Sequence, residues 1–191
     1  TALSISDKLH NKRGRAMNID AYAPELLRSL FRYDAKTGRL FHAVDRIGAN
    51  KRIYAKAGEL ADTVTDSAGY RRVSVRINGK SHALYAHRVA FIIANDGIPA
   101  GMQIDHINAV RDDNRLINLR TVTPQENQHN YRKAKGYSHH ACSGRWEAYI
   151  RVGGVRHHLG LFTTEAAARA AYLKAKARYH PSTPADLLQA A

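Results

Sequence analysis

Residues 104 to 127 leave little freedom in how they fold. Ile104-Asp-His-Ile-Asn108 reads as the end of a strand, with Asp105 and His106 near its terminus after the Gly101-Met-Gln lead-in. A polar, charged loop runs from Asn108 to Ile117, and Asn118-Leu-Arg120 begins a second strand. Thr123-Pro-Gln-Glu126 is then a capping box, with Thr at the N-cap, Pro at the first helical position and Glu at the third. Asn127 is thereby placed one turn into a helix, close to its positive end, where backbone amides attract phosphate oxygens.

The residue types along this strand-strand-helix stretch suggest a chemistry. A histidine of near-neutral pKa can deprotonate a water. An Asp carboxylate and an Asn amide oxygen are hard donors of the kind magnesium takes in small number while keeping its waters. His106 is followed by Asn118 twelve residues on and by Asn127 nine beyond that. This pattern resembles the active site of the HNH nucleases. The resemblance implies a ββα-metal core in which His106 is the general base, and Asp105 and Asn127 are ligands of one Mg2+ (or Mn2+). It also implies that Asn118, the middle Asn, pins the loop and helps to orient the His-bearing strand. Many relatives carry His at the last position. Asn127 stands there instead, as in the phage and intron-borne homing branch, so zinc is the poorer match. His87-Arg88 resembles the upstream His-Arg of phage HNH proteins, and Arg88 is a candidate for either a phosphate contact or packing.

The remainder of the chain reads as alternating strands and short helices. Asp20 to Tyr33 has Leu26, Leu27, Leu30 and Phe31 on one helical face, with Asp20 as N-cap. Asp34-Ala-Lys-Thr-Gly38 is a turn and Arg39 to Val44 a strand. Tyr70 to Ile77 and Ser81 to Ala86 form a hairpin around Asn78-Gly79. His87 to Asn95 is a short apolar helix stopped by Gly97 and Pro99. Residues 20–100 are read as an α+β region with no catalytic constellation of its own, ahead of the nuclease motif at 101–133.

Beyond a hinge at Lys133 to Gly136, Arg145 to Val152 and Val155 to Phe162 form a second hairpin, followed by an Ala-rich helix to Tyr179. Gly136-Tyr-Ser, Gly144 to Arg151, His158-Leu-Gly-Leu-Phe162 and Thr164 to Tyr172 together resemble the Apetala-type DNA-binding domain. That resemblance implies a three-stranded antiparallel sheet backed by one helix over residues 134–181. Ser138, Ser143 and His158 replace Arg or Trp of the plant domains, so their target preference does not carry over. Alternation sends Trp146, Ala148 and Ile150 to one face, under the helix with Leu159, Phe162 and Tyr172. The other face collects Arg145, Glu147, Tyr149 and Arg151 with Lys135, His140, Arg156 and His158, a basic surface able to enter a major groove. The same alternation separates the members of His139-His140 and of His157-His158, which argues against a metal site there. Residues 182–191 read as a tail.

Thirty Lys and Arg against sixteen Asp and Glu give a formal charge of +14, which favours a polyanionic partner through counterion release. Hydrophobic residues at 44% support a folded core. No apolar run approaches the roughly 18 residues that span a bilayer, so no membrane partner is expected. A single cysteine, Cys142, excludes disulfides within the chain and paired-Cys zinc sites, and suits a reducing cytoplasm. Residues 1–19 read either as a loose basic arm or, ahead of Met17, as a non-native leader.

These expectations converge on an α+β chain acting on duplex DNA as an HNH endonuclease of the homing type. It is expected as a monomer in a bacterial cytoplasm, encoded by a phage or mobile element. The alternative is a non-catalytic DNA-binding regulator on a nuclease-derived scaffold.

Overall fold

A computed structural model describes residues 23–48, 50–77, 80–130 and 134–189. The fold is mixed α+β, as expected, and divides into two compact units, one up to Thr121 and one from Val122 onward. The N-terminal arm, Asp20, the Asn78-Gly79 turn and Lys133 of the hinge lie outside the described residues.

In the first unit, α1 (Pro24–Leu30) starts at Ala23 without a side-chain cap, using Pro24 where a missing N–H costs nothing. It does not extend to Tyr33. Phe31–Asp34 is strand β1, paired antiparallel with β2 (Arg39–His42), so that Phe31 faces His42 and Tyr33 faces Leu40. The turn between them explains the difference. Gly38 N donates to Asp34 O at 2.8 Å, and the Asp34 carboxylate accepts from Lys36 N and Thr37 Oγ1 at 3.0 and 2.7 Å. A turn this well bonded brings its flanks into register, and the aromatic residues before it suit a strand. Phe31 joins the core from the strand.

That core is built from Leu27, Phe31, Leu40, Val73, Val75, Leu84, Val89 and Ile92. Each such side chain contributes about 1.5–3 kcal/mol on burial. Two short strands, β3 (Arg46–Ile47) and β4 (Ile53–Ala55), pair with each other. β5 (Val64–Thr65), β6 (Arg71–Ile77) and β7 (Lys80–Tyr85) form a three-stranded antiparallel sheet. Its Val73, Val75 and Leu84 meet α2 (Ala86–Asn95), which closes at Asp96 in the left-handed region at φ 59°. His87 and Arg88 belong to the first turn of this helix. β8 (Gln103–His106) pairs with β9 (Leu119–Val122), and the short 3-10 turn Leu116–Asn118 leads into β9.

The second unit begins with α3 (Pro124–His129), whose capping box is complete. Glu126 N donates to Thr123 Oγ1 at 3.2 Å, and Thr123 N donates to the Glu126 carboxylate at 2.7 Å. Next come β10 (Tyr137–His140), β11 (Arg145–Val152) and β12 (Val155–Phe162), a sheet in sequential antiparallel order. The helix α4 (Glu165–Tyr179) is capped by Thr164, and α5 (Ala185–Gln189) forms the tail. Tyr137, Ala148 and Ala168 make one apolar cluster with Trp146, Leu159 and Phe162; Ile150, Tyr172 and Ala175 make the adjoining one. The alternation read from the sequence thus picked the face that packs.

Two glycines are fixed by close approach. Gly136, at φ +64°, lies so near the Tyr172 ring that a Cβ would come within 2.1 Å of it. Gly38, at φ +73°, lies flush on the 114–115 peptide, where a Cβ would stand 2.5 Å from Arg115 N and 2.7 Å from Asn114 C. Replacing Gly38 by Ala combines a left-handed backbone with a backbone collision, and is expected to cost about 2–4 kcal/mol. Urea unfolding followed by circular dichroism should show the midpoint of G38A well below that of the native chain; an unchanged midpoint would contradict the packing described.

Candidate active site

The loop between β8 and β9 is stitched together by asparagines and aspartates. The Asn118 side chain, buried beneath it, accepts from Asn108 N at 2.9 Å and donates to Asp113 O at 2.8 Å. Its backbone carbonyl accepts from Ile107 N at 2.9 Å. Asn108 folds back on itself, Oδ1 accepting from Val110 N at 2.8 Å and Nδ2 donating to the Asp113 carboxylate at 2.9 Å. Arg115 forks onto that carboxylate at 2.7 and 2.6 Å, and with the Asn108 amide pulls the Asp113 carboxyl down to about 2. Asn and Asp favour such turns because their short side chains reach the local backbone.

This loop sets the surroundings of Asp105 and His106, which as neighbours on a strand point to opposite faces. The Asp105 carboxylate takes two bonds at Oδ2 from Arg120 of β9, at 3.0 and 2.8 Å. His106 turns inward and is only 5% exposed. Its Nε2 is 3.0 Å from Oδ1 of Asn114, itself 1% exposed. Around the imidazole stand His87 at 5.0 Å and Tyr70 at 5.9 Å between ring centroids. Tyr85 extends this cluster, lying 5.4 Å from both Tyr70 and His87. Arg111 covers the Tyr70 ring and Arg72 the Tyr85 ring. Burial pushes the His106 imidazole below its ordinary pKa, while the Asn114 bond and the Asp105, Asp113 and Asp112 carboxylates oppose the shift. Burial, then the charges of His106, Arg88 and Arg72, push His87 down to about 3. Both rings are thereby favoured in the neutral form near pH 7.

Asn127, the remaining residue of the motif, belongs to the second unit, where its amide donates to Thr123 O at 3.0 Å in the first turn of α3. The C-terminal residues expected to face DNA do not share a single environment. Glu147 accepts from Arg156 at 3.0 Å and contacts His158 Nδ1 at 3.1 Å, while Arg156 also covers the Tyr149 ring at 3.9 Å. Lys135, Tyr149 and Arg151 instead line a cleft of about 700 Å3 with His129 and His180. His140 and Arg145 are cross-strand partners, and His140 Nδ1 lies 2.9 Å from Ser143 Oγ. His129 is not simply a solvent-facing helix residue. It stacks on His180 at 3.6 Å and 7°, and burial lowers the pKa of both.

No residue pattern pointed to Asn114, Arg120, Tyr70 or the inward role of His87. Asn114 sits among loop-forming residues, Arg120 among many arginines, and His87 at the start of an apolar helix. Their proximity to Asp105 and His106 comes from pairing β8 with β9 and laying α2 alongside.

As for a metal, no group of three or more His, Cys, Asp or Glu side chains converges among the described residues. A closed, all-protein cage is not the arrangement found. The Asp105 carboxylate, beside the Arg120 guanidinium, is a hard oxygen donor of the kind a sparsely ligated ion that keeps its waters would take.

Residues 84–129 match the family model described as HNH endonuclease. Among solved structures, the chain is similar to the one titled "DNA binding and cleavage by the HNH homing endonuclease I-HmuI", at 24% identity and a TM-score of 0.40. The match covers 52% of this chain and 50% of that one, so the chain spans half the length of the structure it resembles. No curated protein matches it.

The His87 environment has a consequence for stability. An imidazole that titrates near 6.5 when unfolded and about 3 when folded binds a proton in the unfolded state first. Its contribution to stability is therefore complete above pH 6.5 and is lost progressively as pH falls toward 3. The unfolding free energy should drop on acidification across this window, by up to about 1.4 kcal/mol per pH unit for this group. In His87→Phe the acid slope should be shallower by a comparable amount; parallel slopes for the two proteins would refute the assignment.

Proposed function

We propose that this protein is a DNA endonuclease that hydrolyses phosphodiester bonds with one divalent metal ion and His106 as general base. The observation that carries the reading is the match of residues 84–129 to the HNH endonuclease model, over a segment in which Asp105 and His106 have contrasting surroundings. A base needs a neutral imidazole near pH 7, and burial among Tyr70, His87 and Asn114 favours that form. A metal ligand needs a carboxylate with charge to offer, and Asp105 stands on the opposite face of the strand against Arg120. Pairs of groups whose surroundings differ in this way are how acid-base and metal roles are separated in a small site.

In this reading His106 takes the proton from the attacking water. Asp105 and the Asn127 amide oxygen would hold Mg2+ or Mn2+. When bound, the ion neutralises charge growing on the phosphoryl oxygens and eases departure of the 3′ oxygen. Products carry 5′-phosphate and 3′-hydroxyl ends. One such site per chain makes a monomer a nicking enzyme. Arg88, in the first turn of α2, is the proposed phosphate contact.

The net charge of +14 supports duplex DNA as the partner. The C-terminal sheet, with Lys135, His140, Arg145, Tyr149, Arg151, Arg156 and His158 around it, is proposed as an Apetala-like targeting module. Its phosphate contacts would position the duplex and its sheet face would read it. A homing role is proposed from the motif itself, in which Asn127 stands at the last position as in the homing branch of HNH nucleases.

Plasmid nicking with and without chelator tests the proposal. His106→Ala should lose at least about 100-fold in nicking rate, the usual contribution of a general base, and retain affinity for DNA in gel-shift titrations. Chelator should stop the native enzyme. Undiminished nicking by H106A would overturn the assignment, and DNA binding with no cleavage under any metal would favour a non-catalytic regulator.

A further inference from the structure

We propose that Asn114 is the positioning residue for His106, its buried amide oxygen selecting the Nε2–H tautomer and so presenting Nδ1 as the base. This rests on the reading of His106 as general base and adds a residue that the motif does not contain.

The direction of the contact follows from which amide atom faces the ring, and that atom is the oxygen. Oδ1 of Asn114 carries lone pairs only, so across the 3.0 Å contact Nε2 must donate. A neutral imidazole has a single N–H, and with it placed on Nε2 the lone pair is left on Nδ1. Among the described residues Nε2 is the only His106 ring nitrogen in a hydrogen bond.

Asn114 is held firmly enough to enforce this choice. The Tyr33 hydroxyl donates to Asn114 O at 2.9 Å, tying it to the hairpin of the N-terminal region. Gly38 of the same hairpin lies against the following peptide, so closely that no side chain would fit. Asn118 N donates to Arg115 O at 2.8 Å, fixing the chain on the far side. At 1% exposure the Asn114 side chain has no room to swing away.

A second observation separates this role from simple packing. The Asn114 Nδ2 is buried with no hydrogen-bond partner among the described residues. A buried, unsatisfied amide nitrogen works against stability. A leucine of similar volume would avoid that cost, so the amide earns its place through the oxygen it offers to His106. The N-terminal hairpin acquires a function in consequence: it buttresses the residue that orients the base.

The test reads the ring directly. Long-range 15N–1H correlation spectra of the full chain at pH 8, with His106 assigned by comparison to H106A, should show the Nε2–H pattern in the native protein. Asn114→Leu should give a mixture of tautomers and a fall in kcat for plasmid nicking on the order of 10- to 100-fold, the usual effect of removing a group that orients a functional histidine. KM for DNA should be unchanged. Asn114→Asp, which restores an acceptor oxygen at the same place, should recover the tautomer and part of kcat. An Nδ1–H ring in the native protein, or an N114L variant with native tautomer and native kcat, would overturn the proposal. Should N114L fail to fold, the native spectrum and N114D still decide. The spectrum requires no activity, so normal nicking by H106A would remove the general-base reading while leaving the tautomer result to stand or fall separately.

Discussion

The side chain of Asn118 crosses the base of the β8–β9 loop and bonds to both of its limbs, at Asn108 and at Asp113. Most of what surrounds His106 depends on that closure. With the loop shut, Asp113 is placed for Arg115, Asn114 is turned inward to the imidazole, and Asp105 and Arg120 are brought opposite each other on paired strands. Removing the amide would release two part-buried bonds and free a loop of polar residues that has little apolar burial to hold it. Hydrogen bonds of this kind are each modest in net stability, but leaving their partners unmade in a buried place is expensive.

The first unit also shows how one strand creates two chemical settings from consecutive residues. The pleat sends Asp105 to a guanidinium and His106 to a cluster of aromatic and imidazole rings. Solvation does the rest. Away from water a cation is disfavoured, so the buried rings of His87 and His106 shift toward their neutral forms. The N-terminal hairpin, which carries no reactive group, contributes by contact: Tyr33 and Gly38 lie against the loop from outside. The second unit offers a different surface, with a sheet whose basic side chains are partly committed to Glu147 and partly gathered around a cleft.

Periodicity and punctuation made much of this legible in advance. The capping box at Thr123 is a local contract between residues three apart, and it forms as written. The alternation of Trp146, Ala148 and Ile150 identified the buried face of β11, since a strand has only two faces to choose from. The helix expected to run to Tyr33 stops at Leu30 because the hairpin turn after Asp34 competes for the same residues. A helical stripe and a strand face can contain the same aromatics, and short apolar runs do not distinguish them. The stacking of His129 on His180 depends on a residue fifty-one positions away, which no local pattern reveals.

By itself the sequence determined the elements whose rules are local: the capped α3, the β6–β7 and β11–β12 hairpins, the polar loop between two strands, and the placing of Asp105 and His106 side by side. Those follow from backbone preferences and from spacings of two, three or four residues, which the chain carries wherever it goes. Only the tertiary structure decided which neighbours those residues have. Asn114 at the imidazole, Arg120 at the carboxylate, His87 and Tyr70 against the ring, and Gly38 beneath the loop are meetings between segments far apart in the chain, selected by how the apolar faces of β1, β6, β7 and α2 could be buried together. Burial and partner identity are properties of that arrangement, and it is they that set charge and tautomer.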